Sequence, residues 1–162
     1  AKVEYLRFNP KLWFDQMIAS GTLPLIVKKP SIINNYRYFD GGITDPIPAR
    51  KAYSLGAKKI IIIRTYEKHF KRNNKIENYI AALFMSKYPN LSKALLTHSK
   101  TYNKCLDFIE NPPNDCQIIQ ICPPTRLKVK RDTIDHSLLK EGYQVGVKSA
   151  QSFFKLNASL FA

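Results

Sequence analysis

Four consecutive isoleucines, Ile60 to Ile63, stand between Lys59 and Arg64. A β-branched run with no polar break loses side-chain freedom in a helix and lacks the alternation of a half-exposed strand. It therefore predicts a strand covered on both faces, as in a parallel sheet. A parallel strand needs a crossover, and the residues before it supply one. Tyr36-Arg37-Tyr38-Phe39 reads as a short aromatic strand that stops at Asp40-Gly41-Gly42. Asp45-Pro46 then reads as a helix start, the aspartate a cap and the proline at the first helical position, with Pro48, Ala52 and Leu55 sharing a face until Gly56. Strand, helix and strand within about 30 residues predict a βαβ unit, so the expected fold class is α/β.

The flanking segments add helices. Pro10 to Ile18 reads as a short amphipathic helix entered from Asn9, with Trp13, Phe14 and Met17 on one side. Between Lys68 and Asn111, Ile76, Tyr79, Ile80, Leu83 and Phe84 form a helical stripe that Pro89-Asn90 interrupts, and Leu91, Leu95, Tyr102, Leu106 and Ile109 suggest further helix. Gln117 to Cys122 is a second buried-strand candidate, cut off by Pro123-Pro124. A final helix is expected from Asp135 to Phe154 on the recurrence of Leu139, Tyr143, Val147, Ala150 and Phe154, with Gly142 and Gly146 letting it approach the sheet closely. The expected organisation is a core over 1–67, a helical excursion over 68–115, and a closing strand and final helix of the same domain over 116–162.

Charge bears on partners. The 162 residues hold 26 Lys and Arg against 12 Asp and Glu, a formal charge of +14, on a composition 44% hydrophobic that suits an ordinary core. Such an excess attracts polyanions, whether nucleic acid, an anionic membrane surface or an acidic partner. The basic residues gather in Lys68 to Lys75 and in Arg126 to Arg131, and no acidic residue occurs from Asn78 to Leu106. Phe70 is the only aromatic of the first cluster, and no zinc-finger, RRM-like or KH-like pattern is present, so no specific nucleic acid is expected. Apolar runs fall short of a membrane span, and Ala1-Lys2-Val3-Glu4 lacks the apolar region of a signal peptide. Cys105, Cys116 and Cys122 match neither a disulfide framework nor a metal knuckle, which points to a reducing compartment and hence to the cytoplasm, with peripheral contact at its membrane face.

The most specific stretch joins Ala19-Ser20-Gly21-Thr22-Leu23-Pro24 to Tyr36 through Pro48, with Asp40-Gly41-Gly42 at its centre, and continues into Gly56-Ala57 and the isoleucine strand. It resembles the C-terminal half of the catalytic domain of the patatin-like phospholipases, serine lipid acyl hydrolases in which an Asp-Gly-Gly aspartate pairs directly with a serine nucleophile. The resemblance covers residues 10 to 66 well and 116 to 150 more loosely. It implies part of a three-layer fold with a mostly parallel sheet, Asp40 as the catalytic aspartate, Gly41, Gly42 and Ser20 lining the site, a lipid or ester substrate, and no cofactor or metal. A carboxylate at a strand terminus also agrees with where open α/β sheets place their sites, and it can act as general base toward a hydroxyl.

One half of that chemistry is missing from the chain. No G-x-S-x-G elbow occurs; the nearest match, Ala52 to Gly56, puts Ser54 near the end of a helix that leads into a strand, the reverse of an elbow. Asp45 reads as a helix cap, and His69, His98 and His136 as surface or packing residues. The resemblance thus implies a parent whose nucleophile lies outside these residues, a chain inactive by itself, and association with the missing N-terminal half or with a second copy. The competing expectation is a non-catalytic basic module that binds anionic membrane or nucleic acid, in which Asp40-Gly41-Gly42 is only a turn.

Overall fold

The computed structural model describes residues 1–24, 26–27, 29–130 and 132–158. In chain order the elements are α1 (Trp13–Ser20), β1 (Ser31–Ile33), β2 (Tyr36–Tyr38), a 3-10 turn (Gly41–Ile43), α2 (Ala49–Ser54), β3 (Lys59–Ile63), α3 (Lys75–Phe84), α4 (Pro89–Glu110), β4 (Gln117–Ile121) and α5 (His136–Leu156). Helices and small sheets alternate, an α/β chain. Its contacts define two units, Ala1–Arg50 with Lys71–Asn111 and Lys51–Phe70 with Pro112–Ala162, a grouping that cuts across the expected segments.

In the first unit, β1 and β2 form an antiparallel hairpin in the register Ser31↔Tyr38, Ile32↔Arg37 and Ile33↔Tyr36. Asn34 and Asn35 connect them at φ 49° and 65°, the left-handed pair that a two-residue type I′ turn demands and that asparagine tolerates. This hairpin corrects the βαβ expectation. β2 and β3 belong to separate two-stranded sheets, because β2 takes the neighbour that a tight turn delivers and needs no crossover. α1 starts three residues later than the sequence suggests; Asn9 and Pro10 form a turn in which the Leu12 N–H donates to the Asn9 carbonyl at 3.0 Å.

α3 and α4 pack on one another and build most of this unit's core. Ile43, Ala82, Leu91 and Leu95 are buried together, with Phe39, Met85 and Tyr88 packed against them. Pro89, expected to interrupt the helical stripe, does so: α3 ends at Phe84, and Pro89 opens α4 at the position where its missing N–H costs nothing. The buried side of α4 continues through Tyr102, Cys105, Leu106, Phe108 and Ile109.

In the second unit the isoleucine strand β3 pairs in parallel with β4, in the register Lys59↔Gln117 through Ile63↔Ile121. Coverage on both faces is corrected: Ile62 is buried, but Ile61 is 47% and Ile63 79% exposed, so one face of the strand meets solvent. Gly56, at φ 98°, ends α2 in the left-handed conformation that favours glycine. α5 starts where expected, with the Asp135 carboxylate accepting from the N–H groups of Ser137 at 2.8 Å and Leu138 at 3.0 Å. Its inward positions are Leu138, Gly142, Val145, Val147, Ser149, Ala150 and Phe153: Val147 and Ala150 of the expected stripe are half-buried, while Leu139, Tyr143 and Phe154 are exposed. Small residues turn inward because neighbouring chain lies close. A Cβ on Gly142 would stand 2.7 Å from Val129 Cγ2, whereas Gly146 faces open space, so the close approach is at one glycine and to a loop. Of the second basic cluster, Arg131 lies outside the described residues.

Candidate functional site

The Asp40 turn is held by hydrogen bonds from both sides. Its backbone N–H donates to the Thr22 carbonyl at 2.9 Å, and its Oδ1 accepts from the Gly42 N–H at 2.7 Å. That second bond explains the last glycine of the triplet, since a Cβ there would stand 2.9 Å from Asp40 Oδ1. Around Gly41 a Cβ would meet nothing within 4 Å; its carbonyl accepts from the N–H groups of Thr44 at 3.1 Å and Asp45 at 2.9 Å. From α4, His98 Nε2 approaches the Gly42 carbonyl at 3.1 Å.

Half-buried Asp40 lines a cavity of about 440 Å³, within the range typical of small-molecule sites. Tyr38, Phe39, Ile43, Tyr88 and Leu91 give it an apolar wall, and Lys2, Arg37 and Lys87 bring cations to its lining. The Phe39 and Tyr88 rings meet edge to face at 5.5 Å, which fixes that wall between the end of the hairpin and the start of α4.

Other candidates fall elsewhere. Ser20 is the last residue of α1 and exposed; the segment reaches Asp40 through the backbone of Thr22. Thr22 is buried, its hydroxyl donating to the Ile18 carbonyl at 2.8 Å and sharing a 2.6 Å hydrogen bond with Ser31 Oγ. Asp45 is not a helix cap, because α2 begins only at Ala49. Its carboxylate instead accepts from the Tyr5 hydroxyl and, at 3.7 Å, from the Cys105 thiol, partners 40 and 60 residues away in sequence. Burial first, then the Asp45 carboxylate, pushes the Tyr5 phenol up to about 12. Burial also raises the Cys105 thiol, which favours a plain protonated thiol donor.

Ser54 donates to the Lys51 carbonyl at 2.8 Å at the end of α2. His69 and His136 are exposed. His98, read from sequence as a surface or packing residue, bridges two segments of the first unit. Arg72 Nη1 lies 3.5 Å from its Nδ1, and with the proton on Nε2 the ring donates to the Gly42 carbonyl. No local pattern announces this contact, which spans 56 residues. Among the described residues, no group of three or more His, Cys, Asp and Glu is placed to hold a metal ion, and no helix is long and apolar enough to cross a membrane.

In the second unit, polar side chains gather at the strand ends. Buried Arg64 follows β3 and donates to Gln120 Oε1 and to the Lys68 carbonyl, both at 2.9 Å, while the Tyr66 and Phe70 rings stack at 4.1 Å. Asp115 accepts from the Tyr53 hydroxyl at 2.9 Å and from Lys58, and these bonds hold its carboxyl below the usual range.

Residues 88–161 match the family model of a domain of unknown function, DUF6363. The match takes in α4, β4 and α5 and leaves Asp40-Gly41-Gly42 and the isoleucine strand outside it. Over 141 residues, 83% of this chain, the sequence is 30% identical to the uncharacterized protein YjjU of Escherichia coli strain K12. The chain spans 38% of that protein's length. These matches correct the patatin-like assignment, because the family model that matches, over residues 88–161, is a domain of unknown function and not a patatin-like one. A glycine turn after a short strand recurs in unrelated folds wherever a chain reverses, so the triplet and its flanks do not carry a family. No solved structure matches the chain.

Proposed function

We propose that Asp40 is the carboxylate base of a lipid ester hydrolase site, completed by a serine on a part of a longer parent chain that precedes these residues. The observation that supports this reading is a half-buried carboxylate, fixed through Oδ1 by the Gly42 N–H, on the wall of a 440 Å³ cavity with aromatic and aliphatic lining. With Oδ1 engaged, Oδ2 is the oxygen to take the serine proton as the hydroxyl attacks the ester carbonyl. The same oxygen returns that proton to the departing alcohol, and water then releases the acyl group from the serine. The apolar wall suits an acyl chain, and Lys2, Arg37 and Lys87 suit an anionic head group.

In this reading the two-stranded β3–β4 sheet belongs to a larger, mostly parallel sheet of the parent, layered between helices, and the exposed Ile61 and Ile63 face is covered there. The parent acts at the cytoplasmic face of an anionic membrane, and this chain has no hydrolase activity by itself.

The test has two arms. A fluorophosphonate probe leaves the 162-residue chain unlabelled. In the intact parent, Asp40→Asn lowers hydrolysis of a short-chain p-nitrophenyl ester by about 100-fold or more with the fold retained. Full activity of that variant removes Asp40 from the reaction, and labelling of the isolated chain removes the need for a nucleophile elsewhere.

A further inference from the structure

α3 wears its apolar residues on the outside. The side that packs into the protein carries Asn78 and Ala82, with the Asn78 amide donating to Ser99 Oγ at 2.9 Å. The opposite side carries Ile76, Tyr79, Ile80, Leu83 and Phe84, from 47% to 74% exposed. Ile76, Tyr79, Ile80 and Leu83 follow the i, i+3, i+4, i+7 spacing, so they form one continuous stripe along the helix. A helix on a protein surface ordinarily turns such a stripe inward and leaves its amide outside.

Cations flank α3 along the chain. Lys71 and Lys75 precede or open α3, Lys87 and Lys93 follow it, and all four are exposed; Glu77 is the only acidic residue between Lys71 and Lys104. An exposed apolar stripe on a helix with lysines before and after it is the composition of a helix that lies in a membrane interface, its apolar side at the boundary of head groups and acyl chains. Tyr79 adds a ring with one polar end, suited to head-group depth. The excess of positive charge selects the lipid, since an anionic leaflet attracts each nearby lysine.

We propose that α3 docks this protein on an anionic lipid surface through Ile76, Tyr79, Ile80 and Leu83. The inference does not rest on the ester-hydrolase reading, because none of the four docking residues lines that cavity.

Sedimentation with vesicles of phosphatidylglycerol and phosphatidylcholine, against phosphatidylcholine alone, tests it. The protein partitions to the anionic vesicles, and added salt weakens the binding. Ile80→Glu with Leu83→Glu, both at exposed positions, lowers partitioning at least about tenfold while circular dichroism stays unchanged. Lys71→Gln with Lys75→Gln weakens it about fivefold per charge, with the apolar stripe intact. Unchanged binding of the Glu variant overturns the proposal. A second readout uses Tyr79→Cys: a thiol reagent modifies it rapidly in buffer, above the background of the three native cysteines, and anionic vesicles protect it. Protection already present without lipid overturns the proposal, assigning the stripe to a second copy where it rises with protein concentration and to another segment of the parent where it does not.

Discussion

His98 Nε2 lies 3.1 Å from the carbonyl oxygen of Gly42 and ties the middle of α4 to the turn that carries Asp40. A carbonyl only accepts and the Arg72 guanidinium, 3.5 Å from Nδ1, only donates, so a ring with its proton on Nε2 suits both neighbours. His98→Leu keeps much of the volume and removes the donor. The expected cost is about 1 kcal/mol, read as a lower urea midpoint with an unchanged slope. An unchanged midpoint would show that the turn holds its place without α4.

The two glycines after Asp40 differ in what they permit. Gly42→Ala places a Cβ against Asp40 Oδ1 and disturbs the 2.7 Å bond from the residue 42 N–H, while Gly41→Ala meets nothing within 4 Å. The first substitution is expected to cost about 1 kcal/mol more than the second in chemical denaturation. Equal costs would mean that the carboxylate is not fixed by its own turn.

Ser99 is buried and accepts twice, from the Asn78 amide at 2.9 Å and from the Asn74 backbone N–H at 3.2 Å. Ser99→Ala deprives both donors of this acceptor, and a cost of about 2 kcal/mol is expected. Thermal melts compare it with Ser54→Ala, whose exposed hydroxyl bonds locally to the Lys51 carbonyl and whose loss stays within about 0.5 kcal/mol.

Tyr5 supplies a pH test. Its phenol is raised from 10.0 to about 12 by burial first, and then by the hydrogen bond to Asp45 and that carboxylate's charge. A group with a raised folded pKa contributes its stability in full below the unfolded value and loses it as pH rises through the folded one. The Tyr5 contribution is thus present below pH 10 and fades toward 12. Ultraviolet titration of tyrosinate shows one phenol with a midpoint near 12, and Asp45→Asn moves it part of the way back toward 10. A midpoint that Asp45→Asn leaves in place would remove the carboxylate as a cause.

The elements that could be read from sequence are those fixed by near neighbours. Asp135 caps α5, Gly56 ends α2, and Pro123-Pro124 cuts off β4, each through a local conformational preference. β1 escaped because its three residues carry too little periodicity, although the Asn34-Asn35 turn beside it was a legible signal. The stripe of α3 was legible as a helix, but its direction was not: periodicity gives the angle between faces and is silent on which face the rest of the chain covers.

The candidate site divides the same way. Asp40 and its glycines stood out from sequence because a tight turn with an acceptor at its start has a local signature. The cavity, the Thr22 carbonyl, the Asp45 bonds to Tyr5 and Cys105, and His98 on Gly42 did not, since each joins segments whose meeting depends on where whole elements pack.

Sequence by itself determined that this chain alternates helices with short strands, that the isoleucine run is a strand, that Asp40 begins a glycine turn and that the charge is strongly positive. Only the tertiary structure decided that β2 pairs within a hairpin while β3 pairs with β4, that one face of the isoleucine strand and the apolar side of α3 meet solvent, and that His98 serves the Asp40 turn. The physical reason is range: backbone preferences and turn chemistry act over a few residues, whereas burial is a property of the partner, and the partner is chosen by the packing of the whole chain.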